Sequence, residues 1–133
     1  MLFRAEHNFV IINKYPYNSG HLMVARHDHV ADLLTLTPEQ RDEMMRLAQA
    51  CESVLNEAYS PHGFNIGLNI GKAAGAGVID HLHLHLVPRW HGDASFMSTT
   101  AETRIVPETP EGTFSRLRPL FDGLDRGSFT KKA

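Results

Sequence analysis

Cysteine occurs once in the 133 residues, at Cys51, so no internal disulfide and no cysteine-rich zinc site can be built. That usage leads us to expect a reducing, cytoplasmic setting. No apolar run approaches the roughly 20 residues that a membrane helix needs. Met1-Leu2-Phe3-Arg4-Ala5-Glu6 turns polar too early for a secretory signal, so neither secretion nor a membrane partner is expected. Basic excess is missing too. Thirteen Lys and Arg against fifteen Asp and Glu leave a net charge of −2 with neutral histidines. This argues against a dedicated nucleic-acid binder but not against an anionic small molecule held by a local positive field. There is no internal repeat, no low-complexity tract and no linker. With 42% hydrophobic and 21% charged residues, the composition is that of one globular domain, expected over residues 1–122. The polar stretch 123–133 is expected to be a flexible, frayed tail.

What the sequence has in excess is histidine: nine, four of them between His81 and His91. Around them the chain reads as an α+β domain. Phe9-Val10-Ile11-Ile12-Asn13 has the form of a buried strand, and Lys14–Gly20 carries turn chemistry. His21–Arg26 is the returning strand of a hairpin. Thr37-Pro38-Glu39-Gln40 is a capping-box pattern opening a long helix over Thr37–Tyr59. Met44, Leu47, Ala48, Cys51, Val54, Leu55 and Ala58 form its apolar face, which makes Cys51 a packing residue. Phe64–Ile70 alternates as a half-buried strand, a flexible loop follows over Gly71–Gly77, and a weaker helix is expected around Thr113–Phe121. The fold expected is an antiparallel sheet with one long helix packed on one side.

His81-Leu82-His83-Leu84-His85-Leu86-Val87 alternates almost perfectly. In a strand, successive side chains point to opposite faces, so His81, His83 and His85 share one face and the leucines the other. Three readings of that face compete. It is a solvent face that happens to carry histidines; or a metal site, which needs a further ligand from elsewhere; or a centre for nucleophilic attack on phosphorus, with neighbouring imidazoles holding the oxygens. The adjoining loop favours the third, because Gly71, Gly75 and Gly77 let backbone N–H groups approach an anion. Lys72 and Arg89 are candidates for further phosphate contacts, against the plainer reading of solvated or structural charges. Trp90 either stacks on a base or anchors the chain by packing.

The histidine strand resembles the signature of the histidine triad (HIT) superfamily. Asn13…Gly20-His21-Leu22-Met23, Ala74-Gly75-Ala76-Gly77 and Val87-Pro88-Arg89-Trp90 with Gly92-Asp93 are similar to its diadenosine-polyphosphate branch, which includes fragile histidine triad proteins and bacterial diadenosine tetraphosphate phosphorylases. The resemblance spans residues 8–97. It implies a HIT-like fold and a homodimer that extends the sheet across two protomers. It implies that His83 is the nucleophile, carrying a covalent nucleotidyl intermediate, with His85 holding phosphate oxygen and His81 and His21 orienting the triad. Asn13 then meets the ribose, Met23 walls the base pocket, and Asn69 with Gly75 and Gly77 contacts phosphate. The implied substrate is an adenine nucleotide or dinucleoside polyphosphate, diadenosine tetraphosphate first among them, cleaved by phosphorolysis or hydrolysis. No tightly bound cofactor is implied, and Mg²⁺ would accompany the polyphosphate. Where many members carry Gln or Ser before the first histidine, this chain has Gly75-Ala76-Gly77-Val78, so contact with the leaving group falls to backbone N–H groups or another side chain. The Cys-x-x-Cys segment of some bacterial relatives does not occur, so zinc is not implied. The alternative is a nucleotide-binding or signalling protein with weak nucleoside phosphoramidate hydrolase activity.

Overall fold

A computed structural model describes residues 1–76, 81–93 and 108–129. Five strands form one antiparallel sheet: β1 (Phe3–Arg4), β2 (Asn8–Ile12), β3 (Leu22–Arg26), β4 (Gly63–Leu68) and β5 (His83–Arg89), in the order β1-β2-β3-β5-β4. Helix α1 spans Pro38–Tyr59 and α2 spans Pro110–Asp122.

Helix α1 begins where the expected capping box places it. The Thr37 hydroxyl accepts the Gln40 N–H, and the Gln40 side chain accepts the Thr37 N–H, satisfying two of the donors a helix start leaves unpaired. Its buried stripe is Met44, Leu47, Ala48, Cys51, Val54 and Leu55, with Glu43 buried at its head. That stripe packs on the sheet face made by Val10, Leu22, Val24, Leu84 and Leu86, and Leu117 and Phe121 of α2 close the same core. Burial raises the Cys51 thiol above its ordinary range, which makes it inert packing. The carboxylate of Glu43 is not loose in this core: its Oε1 accepts the N–H groups of His7 and Asn8 and the Asn8 amide, tying α1 to the start of β2.

Four features differ from the sequence expectation. The two-residue strand β1, pairing Phe3 with Val10 and Arg4 with Phe9, is too short to leave any periodicity. The histidine strand joins the ladder only at His83, because its partner β3 ends at Arg26 and the last β3–β5 pair is Ala25 with His83. Leu82 then donates its N–H to Val30 at 2.7 Å, outside the sheet. The loop after β4 holds a 3₁₀ turn over Lys72–Ala74, and α2 starts three residues earlier than expected, capped by the Thr109 hydroxyl. The described chain runs through a second 3₁₀ turn, Arg126–Phe129, with the Arg126 guanidinium 4.6 Å from the Phe3 ring centre.

Candidate active site

Register builds the site. Across the face opposite α1, Phe9, Ala25 and His83 form one row, and Ile11, Met23, His85 and Gly67 form the next. The alternation of β5 sends Leu84 and Leu86 into the core and holds the two imidazoles on this face. The rings of His83 and His85 lie 6.4 Å apart, close to the i,i+2 spacing of a strand. His81 has left the ladder, yet its ring comes within 4.8 Å of His83 and its Nε2 lies 2.7 Å from the Arg26 carbonyl oxygen. A carbonyl only accepts, so His81 carries its proton on Nε2.

His21 enters from the turn between β2 and β3. That turn is pinned at Gly20, where φ is +79° and an added Cβ would press on Tyr59, Leu55 and Pro88 at 3.0–3.2 Å. Asn18 completes the clamp by donating to the Pro88 carbonyl and to Asp93. His21 is fully buried, with Nε2 3.0 Å from Nδ1 of His85. The backbone N–H of Tyr17 donates to His21 Nδ1 at 3.3 Å. A backbone donor leaves no choice of tautomer: Nδ1 of His21 accepts, Nε2 carries the proton and gives it to His85 Nδ1, and His85 keeps its own proton on Nε2. Burial, reinforced by the neighbouring His85, lowers His21 to a pKa of about 4, so it is a neutral ring at pH 7. Burial lowers His85 as well, and lowers His83, where His81 and His85 add to the effect. Among the described residues, no hydrogen bond reaches the ring nitrogens of His83. The arrangement is a half-buried, unprotonated imidazole between two neighbours whose protons are already placed.

Asn13 reaches the same corner. Its Oδ1 accepts the Tyr15 N–H at 3.0 Å, which turns its amide nitrogen onto the His21 ring, where it donates to the acceptor Nδ1 at 3.4 Å. Met23 lies directly beside His85 on β3. Asn69 stands one residue past the end of β4, exposed, on the face shared by Asn65 and Gly67. Gly75 closes the 3₁₀ turn at φ +89°, but its N–H is engaged with the Lys72 carbonyl at 3.1 Å rather than left open to an anion. Gly77 lies outside the described residues. Arg89 is a structural cation: it grips both Asp93 carboxylate oxygens and donates to Asn65 Oδ1. Trp90 packs edge-on against Tyr59, 6.5 Å between ring centres.

Sequence reading missed three neighbours. Tyr17 stacks on His21 at 5.4 Å, His29 brings a further imidazole within 5.1 Å of His81, and the ring of Phe9 lies 6.4 Å from His81. Antiparallel pairing of β3 with β5 was the available signal for His29, because it places the residues just after Arg26 beside those just before His83. The group with metal-ligand spacing among the described residues, Glu6, His7 and Glu43, lies elsewhere, at the start of β2 and on α1.

A family model described as the HIT domain matches residues 1–92. The chain belongs to the HIT family. Within it, the chain is 42% identical over 100 residues to an AP-4-A phosphorylase of Mycobacterium tuberculosis, covering 75% of this chain and 51% of that one. It is 27% identical over 95 residues to the asymmetrical bis(5′-nucleosyl)-tetraphosphatase of Schizosaccharomyces pombe, covering 71% and 52%. The chain thus spans about half the length of each of these relatives. Among solved HIT structures, a hypothetical histidine triad nucleotide-binding protein from Sulfolobus tokodaii superposes with a TM-score of 0.74 at 25% identity, covering 98% of this chain and 90% of that one.

Proposed function

We propose that this HIT protein cleaves dinucleoside polyphosphates, diadenosine tetraphosphate above all, through a covalent nucleotidyl group on His83. The observation that carries the reading is His83 itself, an imidazole without a hydrogen-bonded partner among the described residues, set between neighbours of fixed tautomer. Likeness to an AP-4-A phosphorylase supports the substrate class.

In the first step a ring nitrogen of His83 attacks the α-phosphorus. The N–P bond forms as the bridging P–O bond breaks. The N–H of His85 Nε2, pointed by the His21 relay, donates a hydrogen bond to the oxygen that gains charge without giving up its proton, and the departing phosphate leaves as an anion that takes any proton from solvent. Neutral His21 adds no positive charge that would disfavour the cationic imidazolium–phosphorus adduct. In the second step water or inorganic phosphate attacks the same phosphorus, the N–P bond breaks, and His83 is regenerated. Asn13 meets the ribose, and Met23 with Ile11 forms an apolar wall for the base. Mg²⁺ travels with the polyphosphate as part of the substrate. Two protomers pair through the β4 edge, where Ile66 is 45% exposed, and the protein works in the cytoplasm.

The test incubates the protein with diadenosine tetraphosphate labelled at the α-phosphorus, with and without inorganic phosphate. The expected results are acid-labile label on His83 and nucleotide products, ADP with ATP marking phosphorolysis and AMP with ATP marking hydrolysis. Bound but uncleaved tetraphosphate, with no label on the protein, would overturn the enzyme reading in favour of a nucleotide-binding module.

A further inference from the structure

On β4 the chain places a glycine where neither its backbone nor its packing asks for one. Gly67 is exposed, lacks the positive φ found at Gly20, Gly71, Gly75 and Gly92, and an added Cβ there would meet no atom of the described residues within 4 Å. A glycine inside a strand weakens it, and where structure does not require one it marks a place where something else comes close to the backbone. Gly67 pairs directly with His85, on the histidine face. A Cβ on that face would stand roughly 4.5–5.5 Å from the His85 Cβ. A second protomer adding along the β4 edge does not account for the missing side chain, because strand side chains stand perpendicular to the sheet while edge pairing runs within its plane.

The two sides of His85 differ in chemistry. Toward β3 and β2 the row continues with Met23 and Ile11, apolar and suited to a nucleobase. Toward β4 it continues with the bare backbone of Gly67, flanked on the same face by Asn65 and, one residue past the strand, Asn69. We infer that Gly67 is a specificity-determining residue whose missing side chain opens the route by which the leaving half of the substrate, its distal phosphates and second nucleoside, crosses β4 beside His85. The inference rests on the proposed dinucleoside polyphosphate activity and adds a direction to it: the retained nucleoside lies over β2–β3 and the departing one over β4.

The experiment compares Gly67→Ala and Gly67→Val with the wild type on two substrates that share the α-phosphorus. One is diadenosine tetraphosphate; the other is adenosine 5′-phosphofluoridate, from which the N–P bond to His83 expels only fluoride. Gly63→Val, on the same strand and face where an added Cβ also meets nothing within 4 Å, is the control. The ratio of kcat/KM for the tetraphosphate over the phosphofluoridate is expected to fall about tenfold or more for Gly67→Val, less for Gly67→Ala, and not at all for Gly63→Val. Circular dichroism and the melting midpoint check that each variant folds, and the alanine carries the test should the valine fail to. An unchanged ratio at position 67, or an equal fall for Gly63→Val, overturns the inference while leaving the activity standing. A wild-type protein that releases fluoride but never cleaves the tetraphosphate overturns the proposed function itself, and the inference with it.

Discussion

Nε2 of His21 lies 3.0 Å from Nδ1 of His85, and the Tyr17 backbone N–H behind it decides which ring gives the proton. In the proposed mechanism His21 acts through His85 rather than on the substrate. Replacing His21 with Ala should lower kcat about ten- to a hundredfold with little change in KM, because the free His85 ring can then take either tautomer. Gln, which offers an amide donor in place of Nε2–H, should restore part of the loss. A His21→Ala enzyme with wild-type kcat would remove the relay from the mechanism.

His83 makes no hydrogen bond to the described residues and is only half-buried, so its loss should be felt in chemistry and not in folding. His83→Ala is expected to cut turnover by about a thousandfold or more. Its melting midpoint and its affinity for AMP should stay near the wild-type values, readable by calorimetry. Substantial retained turnover would place the nucleophile elsewhere.

Acid should affect stability and activity in the same direction. His21 titrates near 4 when folded and at 6.5 when exposed, so between these values the unfolded chain binds the extra proton. Stability from this group is complete above pH 6.5 and is lost as the pH falls from there through 4, by roughly 3 kcal/mol at the limit. Burial of His83 and His85 adds to the same trend. Urea titrations across that range should show the decline, and a shallower one in His21→Gln. The acid limb of kcat/KM should likewise fall below the 6.5 of an ordinary imidazole if His83 is the nucleophile, since burial and its two histidine neighbours resist its protonation.

The core and the cap give independent checks on the fold. Leu86 is fully buried between β3 and α1, so Leu86→Ala should cost about 2–5 kcal/mol. Thr37→Ala removes one capping-box hydroxyl and should cost about 1 kcal/mol. Equilibrium denaturation measures both.

The features legible in the sequence are those written in local patterns. The capping box at Thr37–Gln40, the apolar stripe of α1 and the alternation of β5 each depend on spacing within a few residues, and each is where the pattern puts it except that His81 lies just before the strand. His29 and Gly67 join the site only through pairings between strands distant in sequence, and Tyr17 only through the path of the turn before His21, none of which periodicity encodes. The anion-facing N–H expected of Gly75 failed for a related reason: glycine permits the turn, and the turn then takes that donor for itself. Arg89 was ambiguous in sequence because a lone arginine does not reveal its acceptors, which prove to be Asp93 and Asn65.

Because one seven-residue strand carries the proposed nucleophile on one side and central core packing on the other, its length is not negotiable. Deleting or inserting a single residue between His83 and Leu86 would turn the imidazoles inward and the leucines out, ending catalysis and folding together. Evolution can lengthen or shorten the neighbouring loops to suit new leaving groups, but this stretch can vary only by exchange of side chains.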